Sequence, residues 1–156
     1  MREWFQWLRS DRILVQQNYA SAPEVLTALA HLFQENVDVA PGYTAALLRR
    51  EQEFPTGLPT MPYGVAIPHA DGQYVIRSGL AVCTLSTPIP FQEMGNPIGV
   101  VSVRLAILIA LPMAQQRAQA EVLQWLLSLI QRHTFLHVMA ESDSVAQIME
   151  AFQQYT

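Results

Sequence analysis

The stretch Val100-Val101-Ser102-Val103-Arg104-Leu105-Ala106-Ile107-Leu108-Ile109-Ala110-Leu111 limits the possible folds more than any other part of the chain. Val101, Val103, Leu105, Ile107 and Ile109 share one parity, and Val100, Ser102, Arg104 and Ala106 share the other. Read as a strand, whose side chains alternate between faces, it begins half exposed and becomes wholly buried. A strand buried on both sides lies inside a sheet that other elements cover. The apolar run from Leu105 to Leu111 is far shorter than the roughly 20 residues of a membrane-spanning helix, and Arg104 and Pro112 bound it.

The covering elements are legible on either side. Ser21-Ala22-Pro23-Glu24 carries an N-cap residue, an early proline and an acidic third position. Val25, Leu26, Leu29, Leu32 and Phe33 follow at helical spacing, which predicts a helix over 22–35. A second helix is expected from Tyr43 to Glu53, ended by Pro55. Short β-rich segments follow at Tyr63–Ile67 and Leu80–Leu85. Beyond the long strand, Gln115–Arg132 reads as a helix with Ala118, Val122, Leu126, Leu129 and Ile130 inward. A short helical piece near Phe135–Ala140 comes next, then a last helix capped by Ser142 or Asp143 and running through Ile148 and Phe152. No internal repeat or linker divides residues 1–156, so the expectation is one α/β domain in which helices pack on the faces of a mixed sheet.

Charge and composition narrow the function. The net charge of −4 has the wrong sign for gripping a phosphodiester backbone, so no nucleic-acid partner is expected. Only 14% of the 156 residues are charged and 51% are apolar, which points to apolar surface left for docking or oligomerisation. The single Cys83 excludes a disulfide framework, argues against a thiolate-rich zinc site and reads as a small core residue. Met1 to Arg9 lacks the apolar stretch of a secretory signal, so a cytoplasmic chain is expected. Trp4, Phe5 and Trp7 form either a docking patch or an N-terminal element packed on the core. His133 and His137 are spaced for one helix face, but Thr134 stands where a zinc-protease motif needs Glu, and no metal site is expected. His133 reads as a residue near a helix C-terminus, and His31 as a polar-face or helix-end residue.

The chemistry concentrates in Gly64-Val65-Ala66-Ile67-Pro68-His69-Ala70-Asp71. A short buried strand runs into Pro68, whose fixed φ stiffens the backbone just before a histidine at the strand end. A neutral imidazole held there offers an unprotonated nitrogen as nucleophile or base. The competing reading is a strand-terminal histidine that merely hydrogen-bonds a carbonyl.

This segment, preceded by Arg50-Glu51-Gln52-Glu53-Phe54-Pro55-Thr56-Gly57-Leu58, resembles the active-site region of type-2 enzyme IIA proteins of the bacterial phosphotransferase system. Pro88-Ile89-Pro90-Phe91 with Met94-Gly95 resembles that family's turn, Leu105 to Pro112 its central strand, and Glu121-Val122-Leu123-Gln124 its next helix. Phe135-Leu136 and the last helix extend the likeness over roughly residues 10–155. The Phe-Pro-Thr-Gly-Leu-Pro spelling is most similar to the galactitol-specific subgroup. The resemblance implies a single mannitol/fructose-like enzyme IIA domain with a sheet of about five strands. It also implies a phosphoryl relay in sugar or polyol uptake, from the carrier protein HPr onto His69 and on to a cysteine of enzyme IIB. No cofactor is implied, and contact with the membrane runs only through the enzyme IIB/IIC complex.

Arg50 matches an arginine that precedes the histidine in relatives, with Arg49 the alternative if the register slips. Gln119 stands where related members often carry a second histidine, and its amide can donate to a phosphoryl oxygen without becoming cationic. That replacement also motivates a second reading, a regulatory module whose His69 phosphorylation state controls binding to a regulator. Tyr63, Pro59 and Met61 are expected to rim His69. An unrelated α/β hydrolase is disfavoured, because neither a nucleophile elbow nor paired catalytic carboxylates can be found.

Overall fold

The computed structural model describes residues 6–156. Strand β1 (Leu8–Gln17) leads into helices α1 (Ala22–Gln34) and α2 (Tyr43–Glu53), followed by the short strands β2 (Gly57–Leu58) and β3 (Gly64–Ala66). Two long strands, β4 (Gly79–Gln92) and β5 (Val100–Ala110), precede helices α3 (Gln119–Ile130), α4 (His133–Glu141) and α5 (Val145–Tyr155). The strands make one mixed sheet in the order β1-β4-β5-β3-β2. β1 runs parallel to β4 and β3 parallel to β5, whereas β4–β5 and β2–β3 are antiparallel.

Helices cover both faces, as the doubly buried β5 requires. One core joins Val25, Leu29, Phe33, Tyr43 and Leu47 of α1 and α2 to Ala81, Cys83, Ala106 and Leu108 of the sheet. The other joins Leu126, Ile130, Leu136 and Phe152 of α3 to α5 to Leu80, Val82, Leu105, Ile107 and Ile109. Cys83 is fully buried, and burial pushes its thiol up to about 12, so it stays protonated core filling. Among the described residues no helix is long and apolar enough to cross a membrane.

The parity of β5 does not hold along its length. Val101 and Val103 face the α1–α2 core, but Leu105, Ile107 and Ile109 face the α3–α5 core. The switch is a bulge at Arg104: Gly64 and Val65, adjacent on β3, pair with Val103 and Leu105. The half-buried Arg104 donates its Nε–H to the Leu85 carbonyl at 3.2 Å.

Other sequence expectations shift for physical reasons. β1 is absent from the sequence reading because Arg9, Asp11 and Arg12 break its alternation, yet Arg12 is buried and paired with Asp38. β4 extends past Leu85 through Pro88 and Pro90 to Gln92. Its pairing with β1 ends at Leu85, so beyond that point one side of β4 is an edge where missing N–H groups cost nothing. The helix expected at 115–132 is a 3-10 turn, Met113–Ala118, before α3 proper. Ser144, neither Ser142 nor Asp143, caps α5 by accepting from Gln147 N at 3.2 Å, while Ser142 is buried and donates to the Val138 carbonyl at 2.7 Å. At α1 the Ser21 side chain makes no cap bond, and Glu24 accepts from Ala20 N at 2.8 Å instead. Trp4 and Phe5 lie outside the described residues, whereas Trp7 packs half-buried on the α3–α5 core.

Candidate active site

The fully buried β3 delivers His69 to the rim of the sheet. Gly64 starts the strand where a Cβ would lie 2.1 Å from Val101 Cγ1 and 2.8 Å from the Ser102 carbonyl, so only glycine lets the two strands close. Past Ala66 the backbone keeps company with β5: Ile109 N donates to the Pro68 carbonyl at 3.0 Å, and His69 makes an isolated bridge with Ile109. The imidazole is half-buried, neither sealed nor fully in water.

Nδ1 of His69 lies 3.0 Å from the Ile67 carbonyl oxygen. A carbonyl only accepts, so Nδ1 carries the proton and Nε2 keeps an in-plane lone pair. Burial lowers the pKa of the ring, the Ile67 carbonyl opposes that by holding the cation's proton, and the positive charge of Arg50 lowers it further. The ring is therefore neutral near pH 7, the form in which Nε2 is a nucleophile.

Arg50 sits in the last turn of α2, half-exposed, with its guanidinium 4.3 Å over the Phe54 ring and Nη1 3.9 Å from Asp71 Oδ1. It is Arg50, not the exposed Arg49 one position earlier, whose charge reaches His69. Gln119 opens α3, half-buried, just after the 3-10 turn that leaves β5, and among the described residues it makes no side-chain hydrogen bond to His69. Gln116 of the 3-10 turn packs on the loop after His69, and its amide donates to the Leu111 carbonyl at 2.9 Å. Gly72 fits under it: a Cβ there would lie 2.6 Å from both Gln116 Nε2 and the Leu111 carbonyl. Gln116 has no spacing signal in the sequence, because its proximity arises only when the 3-10 turn folds back on residues 69–72.

The expected rim is wrong for a geometric reason. Gly64 pairs with Val103 and His69 with Ile109, so six residues of β5, about 20 Å of strand, separate the two ends of this segment. Tyr63, which donates to the Leu136 carbonyl, and Pro59 and Met61 in the β2–β3 connection lie at the far end. Exposed apolar residues at this end include Met113, 65% accessible, whose backbone N abuts Gly72, while Phe54, 56% accessible, stacks under the Arg50 guanidinium. Of the other histidines, His31 is exposed in the last turn of α1, pairing with Glu35 at 3.0 Å, and His137 is exposed, pairing with Glu141 at 3.2 Å. His133 opens α4, so it sits at a helix N-terminus rather than the C-terminus expected for it.

The PTS system galactitol-specific EIIA component of Escherichia coli (strain K12) is 24% identical over 138 residues, covering 88% of this chain and 89% of that relative. The complex of enzyme IIAMTL and phosphorylated enzyme IIBMTL from Escherichia coli matches with TM-score 0.77 at 20% identity, over 94% of this chain and 99% of that one. The nitrogen regulatory protein IIA-Ntr of Neisseria meningitidis matches with TM-score 0.74 at 19% identity, over 94% of this chain and 97% of that one. The family model described as "Phosphoenolpyruvate-dependent sugar phosphotransferase system, EIIA 2" matches residues 6–155, a span that takes in every strand and helix of the described residues. The chain therefore belongs to the type-2 EIIA family of that phosphotransferase system, whose members carry phosphoryl groups through a phosphohistidine.

Proposed function

We propose that Nε2 of His69 is the atom that carries the phosphoryl group. In the first step its lone pair forms an N–P bond as the N–P bond of phospho-HPr breaks, returning an electron pair to the carrier's imidazole. In the second, a cysteine thiolate of enzyme IIB attacks phosphorus and the electron pair of the breaking bond returns to Nε2. Nδ1 keeps its proton throughout, held by the Ile67 carbonyl, so the ring needs no tautomer change between turnovers. Phosphoryl transfer asks the protein mainly for alignment and charge stabilisation. In this reading Arg50 exchanges its loose 3.9 Å contact with Asp71 for the incoming dianion, and the Gln119 amide serves as the second donor. The single observation that carries this reading is the Nδ1–Ile67 bond, which leaves one nitrogen and one direction for attack.

The substrate system is proposed to be galactitol-type, from the names of the relatives, and the location cytoplasmic, with membrane contact only through enzymes IIB and IIC. The purely regulatory alternative rests on no observation that the relay leaves unexplained. Incubation with labelled phosphoenolpyruvate, enzyme I and HPr tests the proposal. Label is expected to enter the protein, to survive alkali, to be lost in acid and to pass to the cognate enzyme IIB. Label retained in His69→Ala refutes the assignment.

A further inference from the structure

Glu51 follows Arg50 in the last turn of α2 but turns inward, half-buried. Both carboxylate oxygens are spent on one residue: Oε2 accepts from Thr56 N at 2.8 Å and Oε1 from Thr56 Oγ1 at 2.7 Å. Thr56 is 3% exposed, and its carbonyl accepts from Ile67 N at 3.2 Å. Ile67 in turn offers its own carbonyl to Nδ1 of His69 at 3.0 Å. The connection from Glu51 to the imidazole is thus unbroken, through Thr56 and Ile67.

Alternative handles on this segment are few. Pro68, between Ile67 and His69, has no N–H to anchor, and its carbonyl is already taken by Ile109 N at 3.0 Å. From the β5 side the segment is held at Pro68; from the α2 side it is held at Ile67, through Thr56. Burial disfavours a free carboxylate at Glu51 and raises its pKa, while the two bonds from Thr56 oppose that rise. A half-buried acid with both oxygens turned inward on one buried loop residue gives up solvation that a surface position would keep, so its placement calls for a role.

We infer that Glu51 is a positioning residue for phosphoryl transfer: by clamping Thr56 it fixes the Ile67 carbonyl that selects the Nδ1–H tautomer of His69. The inference rests on His69 being the phosphoryl acceptor.

The chemistry of the clamp predicts an ordered series. Glutamine has one carbonyl for Thr56 N–H and one NH2 for Thr56 Oγ, which accepts as well as donates, so Glu51→Gln keeps both bonds with the hydroxyl reversed. Alanine keeps neither. Thr56→Val removes the hydroxyl bond and leaves the N–H bond. The test is nitrogen-15 NMR of the His69 ring in each full-length variant, together with the initial rate of labelling by phospho-HPr. Wild type and Glu51→Gln are expected to show Nδ1–H alone and comparable rates. Glu51→Ala is expected to show a mixture of tautomers and a rate about ten- to a hundredfold lower, the scale of loss from a small misplacement of reacting groups. Thr56→Val should fall between.

A folded Glu51→Ala protein with a pure Nδ1–H ring and a wild-type rate overturns the inference. Where alanine prevents folding, a Thr56→Val ring and rate indistinguishable from wild type does so, as does a Glu51→Gln protein with mixed tautomers. If wild-type label resides elsewhere than on His69, the proposed function fails, and the tautomer series still decides the clamp on its own.

Discussion

Replacing Asp38 by asparagine tests how the active end of the sheet is anchored. Arg12 and Asp38 have side chains that are each 2% exposed, and they hydrogen-bond directly. The guanidinium lies 4.4 Å over the Phe33 ring and its Nε has no partner, so among the described residues Asp38 is the one anion facing a buried, permanently charged group. Asp38→Asn keeps the shape and strands that charge, a loss of about 3–5 kcal/mol. For a chain of this size that corresponds to roughly 6–20 °C in Tm. Arg77 also holds Asp38, Nε to Oδ1 at 2.6 Å, but its side chain is 64% exposed, so Arg77→Ala should cost only about 0–1 kcal/mol. Burial raises the Asp38 pKa, but the hydrogen bonds from Arg77 and Arg12 outweigh it and hold the carboxyl below its ordinary value. The folded pKa therefore lies below the unfolded value of about 3.9. The stabilisation is complete above that pH and is lost as pH falls through the folded pKa. Calorimetric melts of wild type, Asp38→Asn and Arg77→Ala across this range read the effect directly. Equal cost for the two variants at neutral pH, or a wild-type advantage over Asp38→Asn that persists undiminished in strong acid, refutes the reasoning.

Four further outcomes concern the site. Because burial and Arg50 hold the His69 pKa below about 6.5, the labelling rate should be flat near neutrality and fall only as acid protonates Nε2 at a lower pH. Rapid-quench rates against pH check this, and a midpoint at or above the ordinary histidine value contradicts it. Arg50→Gln should raise that midpoint and slow transfer about tenfold, the loss of one charge-assisted hydrogen bond in a half-exposed position, while Gln119→Ala should shorten the lifetime of the phosphorylated form; unchanged kinetics in either variant removes that residue from the site. Gly72→Ala should destabilise by about 1–3 kcal/mol and slow labelling, since its Cβ meets backbone at Leu111 and Met113 that has nowhere to retreat; a denaturant melt coinciding with wild type argues against it.

The parts of this molecule that the sequence announces are those decided by short-range chemistry. Pro68-His69 after three buried residues fixes where the imidazole emerges, and the helices of both covering layers follow their apolar spacing. What it conceals depends on distant partners. Arg12 looks like a surface charge until Asp38, far along the chain, neutralises it within the core. Tyr63 looks adjacent to His69 because the two are near in number, yet an extended chain turns six residues into about 20 Å. Gln116 gains its place against Gly72 from a 3-10 turn that no periodicity encodes, and Glu51, on a helix whose end the sequence does mark, turns inward only because Thr56 lies there to meet it. Ser144 outcompetes Asp143 and Ser142 as a cap because Ser142 is consumed by the preceding helix.

The bulge at Arg104 divides responsibility along the central strand. On one side of it, β4 and β5 form an arm bearing Pro88 and Pro90, in which four β4 residues, 85–88, sit opposite one. On the other side, β4 and β5 pair without interruption from Thr84 and Leu105 to Gly79 and Ala110, and an isolated bridge sets His69 against Ile109. Slack at that single position absorbs changes in the arm before they travel down the strand. A residue added to or removed from the arm is taken up at Arg104, and the distance between the imidazole and its neighbouring strand is left as it was.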